Sequence, residues 1–155
     1  MKIAVTKKQR RNRMVCTRDD GSFSSAELGP GLPHHDFAHY VVETTLQLKN
    51  GFFGSIARGM SFTSLSDKEV IKSLGTESWT AEILAGALGS LATGACTIEQ
   101  FPALVNSGMT RFKDFDASNV PTSTQIALML KRLQELLARW SQLGDGETLL
   151  LEFRA

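Results

Sequence analysis

All three histidines of the 155-residue chain, His34, His35 and His39, fall in one run, GLPHHDFAHYVVET at 31–44, with Asp36 and Glu43 interleaved among them. An imidazole titrates near neutral pH and binds divalent metals through a ring nitrogen, and a neighbouring carboxylate raises its basicity. At about 100° per helical position, taking His35 as origin, His39 lies near 40°, Glu43 near 80° and Asp36 near 100°. Phe37, Ala38, Val41 and Leu48 fall on the other side. The helix is amphipathic, and imidazoles and carboxylates form its polar face. The candidate catalytic residues are His39, Glu43 and Asp36. The candidate ligands for a divalent metal such as zinc are His35, His39 and Glu43, and His34 and Arg58 are additional ligand-binding groups.

His35-Asp36-x-x-His39 resembles the His-Glu-x-x-His signature of the zincin metallopeptidases, in which two histidines one turn apart hold zinc and the carboxylate activates water. Aspartate is one methylene shorter than glutamate, so a base at Asp36 stands more than about 1 Å from the zincin position. The pair also sits in the first turns after Pro33, and no clear third ligand follows it. Glu43 is a strained choice for that ligand, because a straight helix rises about 12 Å from position 35 to position 43. A metal shared by His39 and Glu43, or by His35 and His39, would take a further ligand from an acid folding over the helix, Glu77, Glu82, Asp114 or Asp116. Two other readings stay open. Glu43 or Asp36 orients a histidine for acid–base work. Alternatively, Asp36 complements the helix dipole and His39 with Glu43 is an i, i+4 pair on a wetted surface.

The run Leu32-Pro33-His34-His35-Asp36-x-x-His39-Tyr40-x-Val42-Glu43, followed by GFFGSIARG, resembles a run in a group of small bacterial proteins of no established activity. The resemblance covers about 30 residues. It implies that the helix and the following loop belong together, and it assigns no catalytic role.

Gly54-Ser55-Ile56-Ala57-Arg58-Gly59-Met60-Ser61 has the glycines and closing serine of a phosphate-binding loop, but Met60 occupies the lysine position and no strand precedes it. A glycine-permitted turn packing Phe52, Phe53 and Phe62 is the expectation. Lys7, Lys8, Arg10, Arg11 and Arg13 form the single candidate for nucleic-acid contact. Without interleaved aromatics they read as a charged hairpin tip that protects a sheet edge. Cys16 and Cys96 lack basic neighbours and read as small core residues.

Several elements are needed to position these groups. KIAVT at 2–6 and the segment 13–18 alternate as strands, Asp20-Gly21 turns the chain, and SFSSAEL continues a meander. The histidine helix is predicted over 33–49, leaving through a left-handed Asn50-Gly51. Ser66-x-x-Glu69 reads as a capping box for a short helix closed by Gly75. A helix over 78–94 carries small residues suited to close approach, and Thr97-x-x-Gln100 reads as another capping box. The last helix opens at Pro121-Thr122-Ser123 with Ile126, Leu130, Leu133, Leu137 and Trp140 on a core face, and TLLLEFR forms a terminal strand. Trp79 also reads as core.

The fold class is therefore α+β: an antiparallel sheet of the N-terminal strands, completed by the C-terminal strand, against about four helices, in one domain over 1–155. A formal net charge of +1 argues against bulk polyanion binding, and 42% apolar with 21% charged residues is ordinary for a globular chain. Two well-separated cysteines, a basic N-terminus without an apolar leader and no long apolar run predict a soluble cytoplasmic protein that does not span a membrane. Two functions remain: an enzyme or binding protein for a small molecule using the histidine helix, or a non-catalytic interaction module, with self-association compatible with either.

Overall fold

The computed structural model describes residues 1–29, 33–110 and 120–155. Strands β1 (Lys2–Thr6), β2 (Asn12–Thr17), β3 (Phe23–Leu28) and β4 (Thr148–Glu152) form one antiparallel sheet in the order β3-β2-β1-β4. Alternation along the strands gives the sheet one apolar face. In one rung Leu149, Val5, Met14 and Ala26 stand side by side, and Leu149, Val5 and Met14 are buried.

The helices are α1 (His34–Leu46), α2 (Phe52–Ala57), α3 (Phe62–Leu65), α4 (Lys68–Ser73), α5 (Thr76–Ala92), α6 (Phe101–Met109) and α7 (Ser123–Gln142). Four of them, α1, α5, α6 and α7, are long, as the α+β expectation requires. No helix among the described residues is long and apolar enough to cross a membrane. The core is shared more widely than the sequence suggested. Phe37, Val41 and Val42 of α1 and Leu84, Leu88 and Leu91 of α5 join Ile126, Met129, Leu133, Leu136 and Trp140 of α7. On α7 the buried stripe runs through Ile126, Met129, Leu133, Leu136 and Trp140, and Leu130 and Leu137 flank it.

Four local expectations shift. The segment read as a glycine-permitted turn winds into α2 and α3, although Phe52 does contact Phe53 and Phe62, with ring centroids 5.0 and 5.8 Å apart. α1 leaves through Gln47, at φ 57°, three residues before the expected Asn50-Gly51. The cap of α4 is Asp67, whose Oδ1 accepts the N–H groups of Glu69 and Val70, while Ser66 Oγ donates to the Phe62 carbonyl. Gly75 is the N-cap of α5 rather than the end of α4.

The small residues of α5 also divide. Ala81 and Ala85 are fully buried, whereas Gly86 and Gly89 face open space. α1 and α5 pack against each other, and the short side chains of Ala38, Ala81 and Ala85 leave room for that approach.

Candidate metal centre

α1 presents His35 and His39 one turn apart, and α5 brings Glu82 opposite both rings. Glu82 Oε1 is 3.1 Å from His35 Nε2, Glu82 Oε2 is 3.0 Å from His39 Nε2, and the two Nε2 atoms are 3.2 Å apart. One ligand atom from each of the three residues lies within 4.8 Å of the others, an arrangement that could hold a metal ion. His39 is not on a wetted face, with only 3% of its side chain exposed. His35 and Glu82 are 41% and 55% exposed and open the cluster to solvent.

Glu43 lies behind the cluster and is completely buried. Its Oε1 accepts the Phe52 N–H at 2.8 Å and faces His39 Nδ1 at 3.2 Å, and its Oε2 accepts the Gly54 N–H at 3.0 Å. These amides belong to the first turn of α2, where open backbone donors and the helix dipole favour an anion. A carboxylate only accepts, so Nδ1 of His39 carries the proton and Nε2 turns toward Glu82 and His35.

The glycines of GFFG permit this arrangement. A methyl group at Gly51 would overlap the Glu43 carboxylate, and one at Gly54 would overlap the Lys49 carbonyl. Gly51→Ala is therefore expected to cost about 1–3 kcal/mol, as overpacking in a filled interior does. A lowered denaturant midpoint at unchanged slope would show it, and an unchanged midpoint would mean that Glu43 moves aside freely.

The electrostatics follow from these contacts. Burial alone would lower the His39 pKa, but its hydrogen bonds to Glu43 and Glu82, together with their charges, carry it to about 9. The hydrogen bonds of His35 and His39 hold the Glu82 carboxyl well below the usual range. Burial raises the Asp36 carboxyl against the opposing pull of His39 and His35, and its Oδ2 is buried with no hydrogen bond. Among the described residues, none of the hydrogen bonds made by Glu43 or Glu82 comes from a lysine or arginine.

The remaining sequence candidates lie elsewhere. His34 is exposed at the start of α1. Arg58 is exposed and donates to the Lys49 carbonyl. Glu77 accepts from the backbone and side-chain nitrogens of Asn50. Asp114 and Asp116 lie outside the described residues. Cys16 is buried, which pushes its thiol up to about 12, and that suits a core residue rather than a nucleophile. In the basic hairpin, Lys7 Nζ donates to the Trp140 carbonyl and stands 5.5 Å from the Trp140 ring centroid, and Arg11 pairs with Glu27 at 3.5 Å.

His39 and Glu82 form one wall of a cavity of about 330 Å³. Its other walls are Phe52, Leu65, Ile71, Leu74 and Trp79, with Ser78 the remaining polar residue. Trp79 is thus a half-buried cavity residue, whereas Trp140 is core. A larger cleft of about 430 Å³ between α1, α7 and β4 carries Arg132, Arg139 and Arg154, with Glu135 and Glu152 in the same lining. It is remote in character from the histidine cluster. No family model, curated protein or solved structure matches the chain.

Proposed function

We propose that this chain is a metalloprotein that binds one divalent transition-metal ion, zinc foremost, through His35 Nε2, His39 Nε2 and the Glu82 carboxylate. The observation that carries the reading is the convergence of these three groups from two helices, with His39 buried and backed by Glu43. Two ligands each about 2.0–2.1 Å from a tetrahedral zinc ion stand about 3.3 Å apart, and a right-angled pair about 2.9 Å. The two Nε2 atoms, 3.2 Å apart, fall between those values, and Glu82 faces the rings with one oxygen each, Oε1 at 3.1 Å from His35 and Oε2 at 3.0 Å from His39. The charges fit as well, since Asp36, Glu43 and Glu82 gather three carboxyl groups around two imidazoles.

In this reading Glu43 is not a ligand. Its oxygens are engaged by Phe52, Gly54 and His39, so it holds the His39 ring in the orientation and tautomer that direct Nε2 outward. For the same reason it is not free to serve as a general base. Three protein ligands leave an open coordination position, as in catalytic rather than structural zinc sites. A metal there would polarise a bound oxygen and lower the pKa of bound water. Two free cysteines suit a reducing cytoplasmic setting.

One observation favours a second reading. An imidazolium at His39 would donate to both Glu43 and Glu82, so the same geometry suits a metal-free acid–base pocket. Titrating chelator-treated protein with zinc separates the two. The metal reading expects one ion per chain, at least about 100-fold weaker binding in His39→Ala and Glu82→Gln, and no change in His34→Ala. Absence of stoichiometric binding by the intact protein would end the metal reading and leave the acid–base one.

A further inference from the structure

The metal reading leaves two features unused: the cavity beside the cluster and the composition of its walls. Five of its residues, Phe52, Leu65, Ile71, Leu74 and Trp79, are apolar, and two of those are aromatic. Its polar lining residues are His39 and Glu82, 3.0 Å apart, and Ser78, one turn before Glu82 on α5. A pocket with apolar walls and few convergent polar groups is the usual form of a small-molecule site, and 330 Å³ is at the small end of such sites. Among the described residues its walls offer no lysine or arginine to answer a separate anionic group on a ligand.

We propose that this cavity receives the apolar body, a single ring or short branched chain, of a small molecule whose oxygen-donor head completes the coordination of the metal ion. The inference rests on the metal reading and deepens it by naming the class of ligand. The head belongs at the His39 and Glu82 wall because these two residues, which would hold the metal, also line the cavity. The body belongs against Phe52, Trp79 and Leu74 because water there has few partners and is readily displaced by an apolar group.

The cavity walls also explain a choice in the sequence. Trp79 lies in α5 one turn before Glu82, so the helix that supplies the acidic ligand supplies an aromatic wall on nearly the same face. Phe52 is fixed in the same way on the other helix pair. Its backbone N–H is held by Glu43, and its ring lies 5.4 Å from the His39 ring. Apolar wall and metal-facing groups are thus set in place together.

The test compares two hydroxamates with the same chelating head, benzohydroxamate and acetohydroxamate, by calorimetry on zinc-loaded and chelator-treated protein. Burial of the ring predicts binding at least about tenfold tighter for benzohydroxamate, in the zinc-loaded protein only. Leu74→Gln, a change at a half-buried wall position, should shrink that preference while leaving zinc affinity unchanged. Equal binding of the two probes to protein that holds zinc would overturn the inference and leave the metal reading standing. Equal affinity of benzohydroxamate with and without zinc would overturn it too, since the head would then not be on the metal. Failure of zinc itself to bind is read before either probe is added, and it would remove both proposals.

Discussion

Glu43→Ala should lower the stability of the metal-free protein by about 3–5 kcal/mol, the range found when one member of a buried charged network is removed. The reason lies in what remains behind. The amides of Phe52 and Gly54 and the Nδ1 proton of His39 all lose their acceptor in a place that solvent does not reach. Each buried donor left without a partner costs about 1–3 kcal/mol, and the vacated volume adds a cavity term. For a chain of this length about 1 kcal/mol corresponds to roughly 2–4 °C in melting temperature, so the loss should be roughly 6–20 °C. Glu43→Gln retains one carbonyl oxygen and should lose less, although its amide NH2 must then face one of the donors. Thermal unfolding followed by circular dichroism would measure both. An alanine variant melting within about 2 °C of the parent would show that the buried carboxylate does not hold α1 to α2.

Zinc affinity should climb about tenfold for every pH unit between roughly 6.5 and 9 and then level off. His39 must give up its Nε2 proton to bind a metal, and in the metal-free protein that proton is held up to a pKa of about 9. Below that value one proton competes with each ion. Competition against a chromophoric chelator at several pH values would report the slope. A flat profile would mean that His39 enters the site already neutral. The same shift acts on folding in the opposite sense. Because the folded pKa stands above the unfolded value near 6.5, the stabilisation from protonated His39 is complete below about 6.5 and disappears as pH rises through about 9. Its size is of the order of a few kcal/mol. Zinc-loaded protein should lack this alkaline loss, since the ion takes the place of the proton.

Much of the frame was legible because it follows from local periodicity. The sheet has one buried face, so Ile3 and Val5, Met14 and Cys16, and Leu149 and Phe153 announce themselves by alternation. The pairing of His35 with His39 was legible for the same reason, since one helical turn brings them together whatever else the chain does. Glu82 was harder. It is one of four acids placed by the sequence as candidates to close the site, and only the packing of α5 on α1, through contacts more than forty positions apart, selects it.

The role of Glu43 was hidden for a different reason. Its partners are backbone amides, which every residue type except proline carries, so no side-chain pattern marks them. The glycines of the helix that supplies those amides suggest a turn. Gly51 was expected to end α1 in a left-handed conformation. Its missing side chain instead makes room for the Glu43 carboxylate, and Gln47 takes the left-handed position four residues earlier.

A single carboxylate holds both the imidazole of His39 and the amide of Phe52, whose ring is also a cavity wall. Whatever displaces Phe52 therefore perturbs the orientation of the metal-facing nitrogen, and whatever fixes that nitrogen steadies Phe52. Thermodynamic reciprocity then requires the two events to carry one shared coupling free energy, the same whether measured from the cavity side or the imidazole side. Occupancy at one location would be sensed at the other without any further moving part.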